Sequence, residues 1–418
     1  MIKMLKNSWP LLLGIFLLML GNGLQGTLLG IRGAIEGFSP STMAWVMSAY
    51  YLGYLGGSRF APMMIARVGH VRVFAALAST ISAAFIIYAI APDPHVWAAM
   101  RFLVGFGFSG VYVVAESWLN ASATNETRGQ TLSAYMIAQT TGIVTAQFVL
   151  NLADPAGFVL FAIMSIVVSI SFTPILLSVS PAPAFQTSKS MSVKQLFKTS
   201  PLGFVGSFIL GGVFSIMFGM SAVYGTAMGF TVPQISLFVG TIYMGSVILQ
   251  HPICWLSDRM DRRVLIVSIT AMASASMMIG ILLSNSFYVI LLLGFINGGS
   301  TGPLYSLLIA HANDHLEHAD MAGAAGTLTL VGGVGAIGVP VFVGHAMSVL
   351  GPNSYFYTII VLMALIAIYG TFRMTLRVGI SVDDTLPYTA IMPQSTQVVA
   401  EIAQEMAIQR EAESETNK

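Results

Sequence analysis

One short stretch of this sequence combines acids with several bases. An apolar run ends at Asp258, and Arg259, Asp261, Arg262 and Arg263 follow within about one and a half helical turns. An arginine guanidinium binds a carboxylate through two parallel hydrogen bonds, so such a cluster can hold two helix ends together. Basic residues beside an apolar helix also set its orientation in a membrane, and this simpler interpretation stays open.

The stretch belongs to an internal repeat. Residues 62–72 (PMMIARVGHVR) have the same layout and lie 192 positions before 254–264. The run 102–107 (FLVGFG) corresponds to 295–300 (FINGGS) at an offset of 193, and Tyr112 falls on Tyr305 at the same offset. Two copies with an even number of spans predict a parallel repeat, with a solute site between the halves at mid-membrane.

The composition requires a membrane protein. Charged residues make up 8% of the 418-residue chain and apolar residues 56%, whereas a soluble domain carries about 25% charge. The apolar residues fall in runs long enough to cross a hydrocarbon core of about 30 Å. We therefore predict an all-α membrane protein with twelve transmembrane helices in two six-helix halves. The expected spans are about 9–31, 42–64, 72–91, 96–119, 129–151, 156–178, 202–228, 234–257, 264–284, 287–310, 321–348 and 353–375.

The polar segments divide the chain. We predict a first half at 1–178, a linker at 179–200, a second half at 201–376 and a tail at 377–418. Lysines and arginines concentrate on the side of the termini and the linker, so both termini, the linker and the tail are expected in the cytoplasm of a bacterial cell, with the helices in its inner membrane.

Several function classes are excluded by what the sequence lacks. The net charge of +1 gives no reason to expect a nucleic-acid partner, and a single cysteine, Cys254, excludes an internal disulfide. No catalytic motif is visible, so we expect neither an enzyme nor a cofactor. Ligand-type residues gather at one loop but lack a fixed metal-ligand spacing, so we expect a solvated loop and no metal. They are His311, Asp314, His315, His318 and Asp320.

The repeated loop resembles the signature of the major facilitator superfamily, G-x-x-x-D-R-x-G-R-R. The second copy keeps its acid and three bases, namely Asp258, Arg259, Arg262 and Arg263. Residues 101–107 (RFLVGFG) resemble the fourth-helix motif, and 116–120 (ESWLN) is similar to a YcaD-like branch. The resemblance covers about 5–376. It implies a secondary active transporter with alternating access, in which these loop charges form a cytoplasmic latch.

The first copy of the loop departs from the signature. It keeps Arg67 and Gly69, but Ala66 stands in the place of the acid. Glu116 ends the fourth predicted span on the same membrane face, so we expect it to supply the missing carboxylate to Arg67 or Arg128. A solvated carboxylate at the membrane surface and a proton carrier are the alternatives for Glu116.

Nine polar residues inside the predicted spans or at their ends are candidates for solute or proton binding, because such groups face a cavity or a partner. They are Asn22, Gln25, Arg32, Arg101, Gln139, Gln250, His251, Asn297 and Tyr305. Interhelical hydrogen bonds are the alternative for the uncharged ones. Arg32 can pair locally with Glu36, and Arg101 can extend to the outer surface.

Taken together, the residues and the resemblance predict a monomeric, proton-coupled transporter in contact with membrane lipid. Its substrate is expected to be a small neutral or anionic organic solute, because carboxylates are scarce in the predicted cavity. Two alternatives remain: an exporter of amphipathic compounds, and a membrane receptor or scaffold that keeps this fold without transport.

Overall fold

The computed structural model describes residues 2–122, 127–176, 191–282 and 286–376, with 381, 385, 388, 390, 399 and 403–407. Within these ranges, the side chains of 2–8, 120–122, 128, 175, 318, 319 and 322 are not described.

The described residues form helices and no strand. The helices are α1 Ile2–Ile35, α2 Pro40–Val68, α3 His70–Ile90, α4 Pro94–Ser122, α5 Arg128–Val149, α6 Val159–Ser171, α7 Thr173–Leu176, α8 Val193–Thr199, α9 Pro201–Ala227, α10 Val232–Ser257, α11 Arg262–Leu282, α12 Phe287–Asn313, α13 His318–Leu350 and α14 Ser354–Leu376. A 3₁₀ turn, Leu150–Leu152, follows α5. The predicted all-α membrane fold is confirmed, and the long helices α1–α6 and α9–α14 occupy the twelve predicted spans.

Nine of the described helices are long and apolar enough to cross a membrane. They contain Trp9–Ile35, His70–Ile90, Pro94–Leu119, Pro201–Ala227, Val232–Ser257, Arg262–Leu282, Phe287–Asn313, Gly323–Leu350 and Ser354–Leu376. The sixth predicted span is broken in two: α6 ends at Ser171 and α7 begins at Thr173. Pro174 lies in the first turn of α7, where its missing N–H breaks no helical hydrogen bond.

Local residue types explain where α2 begins and ends. Ser39 precedes the helix, and its Oγ accepts a hydrogen bond from the backbone N–H of Thr42. Gly69 separates α2 from α3 with a φ of 84°, a value that side chains disfavour. This geometry explains why the first loop retains a glycine at that position.

The sequence repeat reappears in the way the helices cross. A Cβ added to Gly53 on α2 would lie 1.9 Å from the carbonyl oxygen of Phe102 on α4. A Cβ added to Gly245 on α10 would lie 2.0 Å from the carbonyl oxygen of Phe295 on α12. The two glycines are 192 residues apart and the two phenylalanines 193. Small residues allow membrane helices to approach this closely, so both halves use the same crossing.

A second crossing is repeated as well. A Cβ added to Gly142 on α5 would lie 2.5 Å from the carbonyl oxygen of Phe16 on α1. The matching distance is 1.9 Å from Gly335 on α13 to Phe208 on α9. The same offsets, 193 for the glycines and 192 for the phenylalanines, relate these two contacts. The repeat is thus a property of helix packing as well as of sequence.

The chain divides into two compact units, the first of which contains segments from both sequence halves. The first unit is Met1–Thr187, Phe218–Gly240 and Pro340–Pro352, and the second is Ser188–Met217, Thr241–Val339 and Asn353–Lys418. The predicted domain boundaries at 178 and 201 stay a prediction.

The first unit joins helix ends from the two sequence halves. Asn151 donates a hydrogen bond to Ser236 Oγ at 3.2 Å, and the backbone N–H of Ser41 donates to Ser348 Oγ at 3.1 Å. A Cβ added to Gly30 would lie 2.6 Å from the Cβ of Ala222. All of these residues lie at the helix ends opposite the basic loops, so the two halves pack closely together at that end.

Candidate functional site

A buried arginine marks the first polar cluster, inside the first unit. Arg101 on α4 is only 3% exposed, so it does not extend to the surface as the simpler interpretation expected. Its guanidinium carbon lies 4.8 Å from the centre of the Tyr50 ring on α2. Arg101 Nε has no hydrogen-bond partner, and no acid among the described residues forms an ion pair with this arginine. Its charge is balanced by an aromatic face rather than by a carboxylate.

Tyrosines connect this arginine to α1. The ring of Tyr50 lies 5.5 Å from that of Tyr51 and 6.2 Å from that of Tyr54, measured between ring centres. Tyr54 in turn lies 6.2 Å from Tyr112, whose hydroxyl accepts a hydrogen bond from Asn22 at 3.2 Å. The first three tyrosines and Asn22 are half-buried. The cluster offers a cation, aromatic faces and an amide within one group of helices.

Two predicted amides on α1 and α5 are buried and have polar atoms without hydrogen-bond partners. Gln25 is 1% exposed and its Oε1 accepts no hydrogen bond. Gln139 is fully buried, and neither its Oε1 nor its Nε2 has a partner. Buried polar atoms are nearly always hydrogen-bonded, so such amides are positioned to bind a ligand or water.

Arg32, also predicted from the sequence, has local partners instead. It forms an ion pair with Glu36 at 2.6 Å. Its Nη1 also donates to the carbonyl oxygens of Pro155, Ala156 and Gly157 in the turn before α6. These contacts tie the end of α1 to that turn, which is a structural role.

The second unit holds the remaining polar candidates. Asn297 is fully buried, with Nδ2 unpartnered, and its backbone oxygen accepts a hydrogen bond from Thr301 at 2.6 Å. The hydroxyl of Tyr305 lies 3.1 Å from Thr329 Oγ1. His251 is exposed. These residues do not form a cation-containing cluster like the one around Arg101.

Gln250 contacts a residue of the tail. It donates from Nε2 to the hydroxyl of Tyr388 at 2.8 Å, and that hydroxyl donates to the carbonyl oxygen of Pro303 at 3.3 Å. The backbone N–H of Tyr388 donates to Asp258 Oδ1 at 2.8 Å. Burial raises the pKa of Tyr388 above its usual range, so the hydroxyl stays protonated. Tyr388 therefore joins α10, α12 and the first acid of the repeated loop, a contact that nothing in the sequence indicated.

The loop between α10 and α11 contains a partly exposed ion pair and a buried one. Asp261 and Arg263 form the partly exposed pair, at 2.6 Å. Burial raises the pKa of Asp261, but hydrogen bonds from the side chain and backbone of Arg263 outweigh it and hold the pKa below the usual range. Arg259 stacks on its own helix instead, with its guanidinium carbon 4.2 Å from the centre of the Trp255 ring.

Arg262 makes the buried pair. Its side chain is 2% exposed and is bound to Asp314, whose side chain is 4% exposed. Arg262 Nε also donates to Ser257 Oγ at 3.2 Å, whereas Asp258 lies 3.9 Å away and is 38% exposed. The expectation of a solvated loop is wrong for Asp314 and for His311, which is 5% exposed. The sequence did contain a signal for this pair. Asp314 is the acid nearest the end of α12, and a buried Arg262 needs a carboxylate partner.

The first copy of the loop is arranged differently. Glu116 is fully buried and accepts a hydrogen bond from the hydroxyl of Tyr135 at 2.9 Å. Arg67 is exposed and forms no ion pair with a described acid, and the side chain of Arg128 lies outside the described residues. His70 contacts Ser117, the neighbour of Glu116, at 2.9 Å. No group of metal-ligand side chains occurs in the described part of the chain.

Comparison with known proteins agrees with this architecture. A family model described as the Major Facilitator Superfamily matches residues 11–240 and 204–381. The chain is similar to the "Uncharacterized MFS-type transporter YcaD" of Salmonella enteritidis PT4 (strain P125109), with 25% identity over 357 residues, or 84% of this chain and 91% of that protein. Its fold is similar to the crystal structure of the nucleoside transporter NupG, with a TM-score of 0.72, 15% identity and coverage of 88% of this chain and 98% of the other. It is also similar to an inward-facing, unoccupied bacterial homolog of the human lysosomal transporter Spinster, with a TM-score of 0.65, 12% identity and coverage of 96% and 98%.

Proposed function

The chain belongs to the Major Facilitator Superfamily and is a secondary transporter, and we propose that it moves a small anionic organic solute with a planar ring. We place it in a bacterial inner membrane, with both termini in the cytoplasm, and assign it alternating access coupled to protons. The two solved transporters share less than 25% identity with this chain, so the solute class is argued from the residues alone.

One observation carries the solute class: Arg101 is buried in a membrane helix without an acidic partner among the described residues. An arginine inside a membrane costs about 2.5–3.5 kcal/mol on insertion scales, so such residues face a partner or a ligand. A carboxylate or phosphate would pair with both nitrogens of the guanidinium fork. The cluster therefore favours an anionic solute over a cationic one.

The neighbouring groups favour a planar solute. Tyr50, Tyr51 and Tyr54 provide half-buried aromatic faces beside Arg101, and rings stack on such faces. The unpartnered amide oxygen of Gln25 and the unpartnered amide of Gln139 would hydrogen-bond polar substituents of the solute. This combination suits an aromatic acid or a related planar anion.

The packing at one end supports alternating access. In the first unit the two sequence halves contact each other at the helix ends opposite the basic loops. Transport would require these contacts to open. The Arg262–Asp314 pair and the contact of Tyr388 with Asp258 lie at the basic end, within the second unit, and are formed while the opposite end is closed. As a latch, they would release when the opposite end opens.

Glu116 supports proton coupling. It is a fully buried carboxyl near the cytoplasmic end of α4, hydrogen-bonded to Tyr135. Intramembrane carboxyl groups form proton relays in pumps and transporters. In the first loop, the latch contact of Glu116 with Arg67 or Arg128 remains the alternative role.

Paired solutes test the proposal. Thermal unfolding of the purified protein would be followed with benzoate and benzamide, then with nicotinate and nicotinamide, so that each pair differs in charge. We expect the acids to stabilise the protein, and Arg101→Gln to weaken their binding about ten- to hundredfold, since hydrogen bonds to charged groups contribute about 1.5–3 kcal/mol. Arg59→Gln, an exposed arginine on α2, is the matched control.

Two outcomes would contradict the proposal. If Arg101→Gln bound the acids as well as Arg59→Gln does, Arg101 would not bind the solute. If amphipathic cations stabilised the protein regardless of Arg101, the exporter alternative would be favoured. Uptake of the best-binding acid into proteoliposomes with an imposed proton gradient would then test the coupling.

A further inference from the structure

A basic cleft opens in the second unit, away from the polar cluster of the first. It lies where the end of α8 and the start of α9 meet the start of α11 and the ends of α12 and α14. The lining residues are Thr199, Ser200, Pro201, Leu202, Arg263, His311, His315 and Arg373. No acid of the described residues lines this cleft.

The N-terminus of a long helix points into the cleft. Helix α9 has 27 residues and begins at Pro201, directly after Ser200. The first turn of a helix has free N–H groups and a partial positive charge, which attract anions. Ser200 provides a second, independent observation: it is 1% exposed, and its Oγ has no hydrogen-bond partner. A buried hydroxyl beside a helix N-terminus can donate to a bound anion.

The side chains around this helix end add positive charge. Arg263 is partly neutralised by Asp261, at 2.6 Å. Arg373 on α14 is half-buried and pairs with no acid among the described residues. His311 and His315 also line the cleft, with ring centres 4.9 Å apart. The unpaired positive charge of the cleft is therefore that of Arg373 on α14.

The short helix α8 places this cleft beside an apolar surface. Val193 and Phe197 are each 47% exposed, while Leu196 is fully buried. Lys194 and Lys198 are exposed on the same helix. A short helix with exposed apolar and basic side chains is suited to the interface between headgroups and lipid tails. Basic pockets between membrane helices on the cytoplasmic side bind anionic headgroups.

We propose that this cleft binds a phosphate group, supplied either by an anionic lipid headgroup or by a free phosphate ion. The N-terminus of α9 and Ser200 Oγ would donate hydrogen bonds to the phosphate oxygens, and Arg373 would supply the unpaired charge. This site is separate from the Arg101 cluster and does not depend on which solute is transported.

The experiment compares the two phosphate sources on the full-length protein. In one arm, thermal unfolding is measured in micelles with increasing phosphatidylglycerol or, at matched acyl chains, phosphatidylcholine. In the other arm, inorganic phosphate is added in detergent alone. The variants are Arg373→Gln and Ser200→Ala, and Arg72→Gln is the control because Arg72 is an exposed arginine outside the cleft.

We expect phosphatidylglycerol to stabilise the wild type and Arg72→Gln more than phosphatidylcholine does. Arg373→Gln should need about fivefold more phosphatidylglycerol for half of the effect, the usual contribution of one basic residue near an anionic membrane. If inorganic phosphate shows the same dependence on Arg373, the source is the free ion, and the site still stands. If Arg373→Gln and Ser200→Ala both behave like Arg72→Gln in both arms, the proposal is overturned. Ser200→Ala removes a single oxygen and keeps the test valid if Arg373→Gln does not fold.

Discussion

Two aspartates contact the same arginine, and the structure predicts opposite consequences for removing their charges. Arg262 is bound to Asp314 in a pair whose side chains are 2% and 4% exposed. Asp258 lies 3.9 Å from Arg262 and is 38% exposed. The isosteric changes Asp314→Asn and Asp258→Asn therefore remove a charge from a buried pair and from an exposed one.

The burial of each pair sets the expected magnitude. Removing one partner of a buried ion pair costs about 3–5 kcal/mol, because the remaining charge is left uncompensated in a low-dielectric site. An exposed pair contributes about 0–1 kcal/mol, since water and salt screen it. Asp314→Asn should therefore be less stable than Asp258→Asn by at least about 2 kcal/mol, or about thirtyfold in the folded-to-unfolded ratio.

We expect the charge of Asp258 to affect the transport rate far more than it affects stability. Asp258 accepts the backbone N–H of Tyr388, so its charge acts on a contact between the tail and α10 rather than on the core. We expect Asp258→Asn to slow transport strongly while its folded yield stays near that of the wild type. The two measurements are thermal unfolding in one detergent and solute uptake into proteoliposomes.

Three results would refute this reasoning. An Asp314→Asn protein that unfolds at the wild-type temperature would show that the buried pair does not stabilise the junction of the start of α11 with the end of α12. An Asp258→Asn protein that is the less stable of the two would contradict the burial argument. Normal transport by Asp258→Asn would remove Asp258 from the latch.

Two further predictions follow from helix packing and from charge. Gly245→Ala should destabilise the protein strongly in thermal unfolding, because its Cβ would lie 2.0 Å from the carbonyl oxygen of Phe295. Gly240→Ala is the control and should be nearly neutral, because no atom lies within 4 Å of its Cβ. Equal effects of the two changes would contradict the close crossing. Alkaline phosphatase fused after residue 418 should be inactive and a fluorescent protein fused there active, because the distribution of basic residues predicts a cytoplasmic C-terminus. Phosphatase activity would disprove this topology.

Much of the fold follows from the sequence because the membrane restricts the choices. A backbone inside lipid must satisfy its own hydrogen bonds, so long apolar runs predict helices whatever their partners. The repeat of 102–107 at 295–300 was also visible in the sequence, and the structure adds the matching glycines Gly53 and Gly245 at the close crossings. The break after Ser171 was missed, because Pro174 is compatible with the first turn of a new helix as well as with a kink.

The candidate sites depended more on tertiary structure. The sequence alone determined that the chain crosses a membrane many times and that its loops repeat. It also placed Arg101 inside a membrane helix, where inserting an arginine costs free energy. Only the fold decided that Asp314 pairs with Arg262, that Tyr388 contacts Asp258, and that Arg373 lies beside the N-terminus of α9. Helix periodicity describes which residues share a face of one helix, but ion pairs between helix ends depend on how several helices pack together.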